Sequence, residues 1–172
     1  MVLVSASGVC CEYLTDNFTQ IQSMINPTVL WQKPQPLRSY PYTPNLDLIP
    51  KSAGVYIFYR KHGTTFHVFY VGKGLNLRSR LKGQLNNLKL MNGIRAAANG
   101  ARLLAYGEIV LKPGQKAVSA IHAAEKLLIR HFVDEGHELI NIQGVKIRLQ
   151  TLTNERPGAL KKMIPTRMQV EA

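Results

Sequence analysis

Two short words built from glycine and tyrosine, Gly54-Val55-Tyr56 and Tyr70-Val71-Gly72, sit in a strongly basic stretch. Between Leu48 and Gly107 there are ten Lys/Arg and no Asp or Glu, and Lys73 directly follows the second word. A phenol has an ordinary pKa near 10, and an adjacent ammonium within a positive field favours its phenolate. Unbalanced positive charge around two phenols points to a phosphodiester ligand. Cross-strand packing of paired tyrosines is the structural alternative.

Arg80 and Glu125 carry the other chemistry such a ligand would need. On a helix starting near Leu77, Arg80 lies about 60° from the leucine stripe, with Arg78 and Lys82 farther round toward solvent. It fits either a solvated helix face or a guanidinium that clamps a phosphate bidentately. Glu125 stands one turn from both Ile121 and Ile129, on a helix side where apolar residues point. It reads equally as an edge carboxylate paired with a cation and as a metal ligand or acid–base group in a cleft. His122, one turn earlier, is a candidate supporting residue.

The elements that must position these residues follow from pattern. Val55-Tyr56-Ile57-Phe58-Tyr59 and Phe66 to Val71 have strand composition, and Lys61-His62-Gly63 between them predicts a β-hairpin. Asn76 is placed to cap a helix with Leu77, Leu81, Leu85 and Leu88 on one face. Ile94 to Ala101 reads as helical up to Asn99-Gly100, and Leu103 to Leu111 as a third strand. Gln115 to about Val133 predicts a longer helix with Val118, Ile121, Ala124, Leu128, Ile129 and Phe132 on its apolar stripe. Leu139 to Ile142 then runs back toward the core.

Before this region, Gln20 to Ile25 suits a short helix, and the prolines from Pro27 to Pro50 predict an extended connector over 26–50. Its aromatics Trp31, Tyr40 and Tyr42 alternate with Lys33 and Arg38. Packing against the neighbouring domain is preferred over stacking on bases. After Gly144 comes a basic extension with Lys146, Arg148, Arg156, Lys161, Lys162 and Arg167.

Composition bounds the function. The 172 residues suffice for one domain with a real core, and 45% hydrophobic content excludes wholesale disorder. A net charge of +12 favours a polyanion partner. No apolar run spans a membrane and Met1 to Val9 lacks a positive n-region, so a cytoplasmic protein is expected. Cys10 and Cys11 are adjacent, which excludes a disulfide framework, and the five histidines lack metal-ligand spacing. Gly72-Lys73-Gly74 lacks the length and the Ser/Thr of a P-loop.

Gly54-Val55-Tyr56, Tyr70-Val71-Gly72-Lys73, Arg80, Glu125 and Asn141 together resemble, in order and type, the catalytic domain of the GIY-YIG nuclease family. The likeness covers about residues 52–143, leaving 1–51 as an N-terminal Pro-rich arm and 144–172 as a basic C-terminal extension. It implies an α+β fold, an α/β sandwich whose small central antiparallel three-stranded sheet is flanked by helices. It also implies hydrolysis of phosphodiester bonds in double-stranded DNA with one divalent metal, Mg2+ or alternatively Mn2+, held by Glu125.

The resemblance makes Tyr56, Tyr70, Arg80, Glu125 and Asn141 catalytic. Tyr56 or Tyr70 takes the water's proton, Arg80 neutralises developing charge, and Asn141 supports by hydrogen bonding. Lys73 contacts phosphate and lowers the phenol pKa; Arg78 and Lys82 bind phosphates, as do Lys89, Arg95 and Arg102 on the duplex. Short additions on both sides of the core suit a stand-alone restriction endonuclease, with a homodimer to cut both strands. They suit equally a nuclease toxin with an inhibitory partner protein. A noncatalytic nucleic-acid-binding module of the same fold is the competing expectation.

Overall fold

A computed structural model describes residues 26–37, 42–141 and 150–170. The short helix expected at Gln20 to Ile25, Cys10, Cys11, Arg38, Tyr40, Lys146 and Arg148 lie outside the described residues. Among those described, no helix is long and apolar enough to cross a membrane.

The fold is α+β. The predicted hairpin is present as β3 (Gly54–His62) and β4 (Thr65–Gly74), and the third strand as β5 (Ala101–Val110). β3 lies between the other two, antiparallel to both. The sheet does not stop there, so the expectation of a small three-stranded antiparallel sheet is corrected. β1 (Thr28–Trp31) and the two-residue β2 (Gln35–Pro36) pair with β5. β6 (Gln150–Glu155) runs parallel to β1, and β7 (Arg167–Val170) closes on β6. Among the described residues the result is a mixed seven-stranded sheet with path order β4-β3-β5-β1-β6-β7.

Prolines made 26–50 look like a connector because they remove backbone donors, but they flank the apolar Thr28–Trp31 run and leave it free to pair. Its partners lie more than seventy residues away, at Val110 and Thr153, where no local pattern announces them. Trp31 and Tyr42 are buried, as the packing reading of the aromatics requires. The Trp31 indole N–H donates to Asn154 Oδ1 at 3.0 Å, and Asn154 Nδ2 donates to the Pro165 carbonyl at 2.9 Å. One buried amide thus ties both flanking segments to the sheet.

The helix expected through Leu77, Leu81, Leu85 and Leu88 is two helices, α1 (Leu77–Gln84) and α2 (Leu88–Ala96). Asn76 caps the first as predicted, but Asn87 caps the second by accepting from the Leu90 N–H, which restarts the helix. Leu88 therefore falls on a first turn and is 74% exposed, not on the buried stripe. The long helix α3 (Ala117–Asp134) matches its expected span within two residues, although Val118 faces solvent.

Alternation along β3 distributes the core to both faces of the sheet. Val55, Ile57 and Tyr59 join α3, Met163 and Ile164 in one cluster, while Tyr56 and Phe58 join α1 and α2 in the other.

Candidate active site

A β-bulge sets which way the second tyrosine faces. Phe58 pairs with Tyr70 and Tyr59 with Val68, leaving Phe69 as an extra residue in β4. Val68 and Val71 consequently face α3, whereas Phe69 and Tyr70 both face α1 and α2. Tyr70 thereby shares a face with Tyr56, and the rings stack with centroids 6.1 Å apart and planes 13° from parallel.

Three glycines let the backbone close on these groups. Gly72 is the register partner of Tyr56, and a Cβ there would fall 2.5 Å from the Tyr56 hydroxyl. A Cβ on Gly74 would lie 2.7 Å from Arg80 Cβ, and one on Gly54 would lie 2.6 Å from Leu77 Cδ1. The two tyrosine-glycine words are thus packing solutions: glycine opposite Tyr56, glycine beneath Arg80, glycine beneath the first residue of α1.

Tyr56 is fully buried, and among the described residues its hydroxyl finds no well-formed hydrogen bond. Burial, followed by the Tyr70 phenol, pushes its pKa well above the ordinary 10, and the Arg80 guanidinium only partly counteracts this. The expected lowering of the phenol pKa therefore does not hold for Tyr56, because removal from water outweighs the positive field. Arg80 is raised in turn, first by the Tyr56 phenol. Because the buried hydroxyl makes no well-formed hydrogen bond, Tyr56→Phe should leave stability unchanged or raise it by up to about 1 kcal/mol in urea titrations. A loss of more than that would mean that the hydroxyl is well bonded.

Glu125 lies on the other face. Its Oε2 accepts from the Lys73 ammonium, with side chains 13% and 24% exposed respectively. Lys73 pairs in register with Val55 and points toward α3, away from Tyr56. His122 shares this neighbourhood: burial first and the Lys73 charge second lower its pKa, while Glu125 opposes them. The sequence-predicted residues thus form two groups on opposite sides of β4, Tyr56/Tyr70/Arg80 and Lys73/Glu125/His122.

Asn141 holds the strand between them. Among the described residues β4 is the last strand of the sheet, and its outer edge is met by residues 140 and 141. The Ile140 N–H donates to the Phe69 carbonyl at 2.8 Å, while Asn141 Nδ2 donates to the Val71 carbonyl at 2.6 Å. Asn141 Oδ1 accepts from the Val71 N–H at 3.3 Å, so its amide stands in for a neighbouring strand.

The approach to Asn141 runs through an aromatic cluster. The His137 ring lies 5.6 Å from that of His67 on β4, 5.5 Å from Phe66 and 5.6 Å from Phe132 on α3. Burial first, then His67, lowers the His137 pKa below its ordinary 6.5, with His131 adding to the fall and Glu135 opposing it. A histidine held neutral in the folded state takes up its proton more readily when unfolded, so its stabilising effect is complete above about pH 6.5 and is lost as pH falls below it. The melting temperature should drop between pH 7.5 and pH 5.5, and His137→Phe should flatten that dependence. An unchanged slope in the variant would remove His137 as its source.

Other predicted contacts are already engaged. Arg78 donates to the Ile49 and Asp47 carbonyls at 2.9 and 2.8 Å and pairs with the Asp47 carboxylate at 3.7 Å. Arg102 donates to the carbonyls of Ile94, Ala97 and Gly100, closing the end of α2. Both guanidiniums hold loops rather than facing outward, whereas Lys82 and Lys89 are exposed. Gln84 was not singled out from sequence; it is 5% exposed and its Nε2 has no partner among the described residues. It lies one turn beyond Arg80, and an amide on a leucine-lined helix face was its available signal.

No family model and no curated protein matches this chain. Its functional reading therefore rests on the side chains themselves. Among the described residues no group of three or more His, Cys, Asp or Glu could enclose a metal ion. A single carboxylate still fits a hard divalent cation that takes its remaining ligands from water and a substrate phosphate. Glu125 already holds one cationic group, the Lys73 ammonium.

Proposed function

We propose that this chain is a metal-dependent endonuclease of the GIY-YIG kind, hydrolysing phosphodiester bonds in double-stranded DNA. The observation that carries the reading is the stack of two phenols, Tyr56 on Tyr70, beside Arg80, which packs over Gly74 on the same strand as Tyr70. The next residues of that strand lead to Lys73 and Glu125. At Gly72 and Gly74 the missing Cβ lets Tyr56 and Arg80 close on one face of the strand, while Lys73 between them points to the other.

Each residue then has a role. Arg80 donates to a non-bridging phosphate oxygen and offsets charge as it develops. Tyr70, which keeps some solvent contact where Tyr56 has none, gives its own proton to solvent and then, as phenolate, accepts the proton of the attacking water. Tyr56 stays protonated, and its ring, stacked on Tyr70, fixes the orientation of that ring. Water attacks phosphorus, the bond to one bridging oxygen breaks, and that oxygen leaves with a proton from solvent. Glu125 is the residue that would hold magnesium or manganese, which when bound stabilises charge on the phosphate and leaving oxygen. Lys73 must then release Glu125 and turn to phosphate, and Asn141 keeps the β4 edge in place.

One observation favours a second reading, a noncatalytic nucleic-acid-binding module: Lys73 neutralises Glu125 on the face opposite the tyrosines. Purified protein incubated with plasmid and Mg2+ separates the two. Nicking that Glu125→Ala abolishes is expected. A salt-sensitive gel shift without cleavage in any divalent metal would replace the enzyme by the binding module. Sequencing the cut ends on genomic DNA then distinguishes a restriction enzyme, with one shared site, from a toxin, with dispersed cuts. A homodimer fits either role.

A further inference from the structure

At the opposite end of the hairpin from Gly54 and Gly74, the structure contains a cavity of about 200 Å3. Its walls include Tyr59, Phe66 and Met163, with Lys61, Lys162 and Thr64 also lining it. Tyr59 and Met163 are buried, whereas both lysines and Thr64 are exposed. Tyr59 and Lys61 project from the α3 side of β3, as Val55 does. The cavity therefore begins about 13 Å along the same sheet face from the Val55–Lys73 pair, at about 3.3 Å per residue.

The lining defines a ligand chemistry. Among the described residues no carboxylate contributes to it, and two ammoniums at a solvent-facing rim suit an anion of more than one charge. An interior of phenol, phenyl and thioether suits a flat, weakly polar body, since aromatic side chains accept any π-face. Size sets the limit: cavities of about 150 Å3 take up benzene, so this one has room for one ring system and not for two. Burial pushes the Tyr59 phenol up to about 12, which keeps it a neutral hydrogen-bonding group against such a ring.

We propose that this cavity binds a single nucleotide, with the base on Tyr59, Phe66 and Met163 and the phosphate between Lys61 and Lys162. The site is separate from the tyrosine cluster and does not rest on the nuclease reading. A free nucleoside monophosphate and the phosphorylated end of a DNA strand present the same chemistry.

The test is a titration of the full 15N-labelled chain, following the Gly63, Gly158 and Ala159 amides. Saturable shifts with dAMP are expected, with deoxyadenosine alone and inorganic phosphate alone each binding at least about ten-fold more weakly. Lys61→Ala combined with Lys162→Ala should weaken dAMP binding at least about ten-fold. Ala159→Trp, at an exposed position on the rim, should block the cavity and abolish the shifts while amide peaks away from the cavity stay where they are. A 5′-phosphorylated oligonucleotide that moves the same amides more tightly than dAMP identifies a strand end as occupant; the reverse order identifies a free nucleotide. Absence of saturation by millimolar dAMP, phosphate binding as tightly as dAMP, or an unaffected Ala159→Trp protein would overturn the proposal.

Discussion

Arg80→Ala should lower the rate of plasmid cleavage by about 10²- to 10³-fold, the usual cost of losing one preorganised charge-stabilising donor. The loss should come without unfolding. Arg80 is exposed on α1, and its influence reaches the phenols of Tyr56 and Tyr70. Thermal melts should therefore place the variant within about 2 °C of the parent, as for most surface substitutions. Arg80→Lys should recover little of the rate, because an ammonium lacks the planar pair of donors that spans two phosphate oxygens. Beside Glu125→Ala, the experiment also tells which face of β4 performs the chemistry. Inactivation by both substitutions means that both faces of β4 are needed for cleavage. Full activity in Arg80→Ala would remove the tyrosine face from the mechanism.

The second large effect concerns stability and begins with a missing methyl group. Gly72→Ala should destabilise the fold by about 3 kcal/mol, at the upper end of overpacking costs. The added Cβ would run into the ring of Tyr56, which is fully enclosed between Tyr70, Phe58 and the helices and cannot swing away. The stress arises from contact, not backbone conformation, since Gly72 is not among the glycines with positive φ. A double-mutant cycle with Tyr56→Leu in urea denaturation isolates it: the pair should cost at least about 1 kcal/mol less than the sum of the single changes. Strict additivity would show that the clash is relieved elsewhere.

The same glycine shows what a local pattern conveys. Gly72 and Tyr56 were legible as parts of two short words, and the strand composition around them announced a hairpin. That hairpin then placed them opposite one another. α3 was legible because its apolar residues recur with helical period over eighteen residues, a signal that several turns reinforce. The break between α1 and α2 was less visible, because Leu85 and Leu88 continue the spacing through Asn86-Asn87 and only the cap at Asn87 interrupts it. β1, β2, β6 and β7 were not legible, since pairing between Thr28 and Thr153 depends on edges that exist only after the central strands have formed.

The site divides in the same way. Residue types alone determined that this protein carries a concentrated positive field, two phenols, a boundary arginine and a carboxylate on an apolar helix face. Those properties belong to single side chains and to their spacing along one element. Tertiary structure alone decided that Phe69 bulges out of register and turns Tyr70 toward Tyr56, and that burial raises the Tyr56 pKa against the surrounding charge. It also decided that Lys73 reaches Glu125 across the α3 face, and that Arg78 and Arg102 are bound to carbonyls. Facing direction, water exclusion and choice of ionic partner are set by neighbours distant in sequence. The order of Tyr, Tyr, Arg and Glu along the chain fixes which groups exist; the bulge and the sheet edge fix which of them meet.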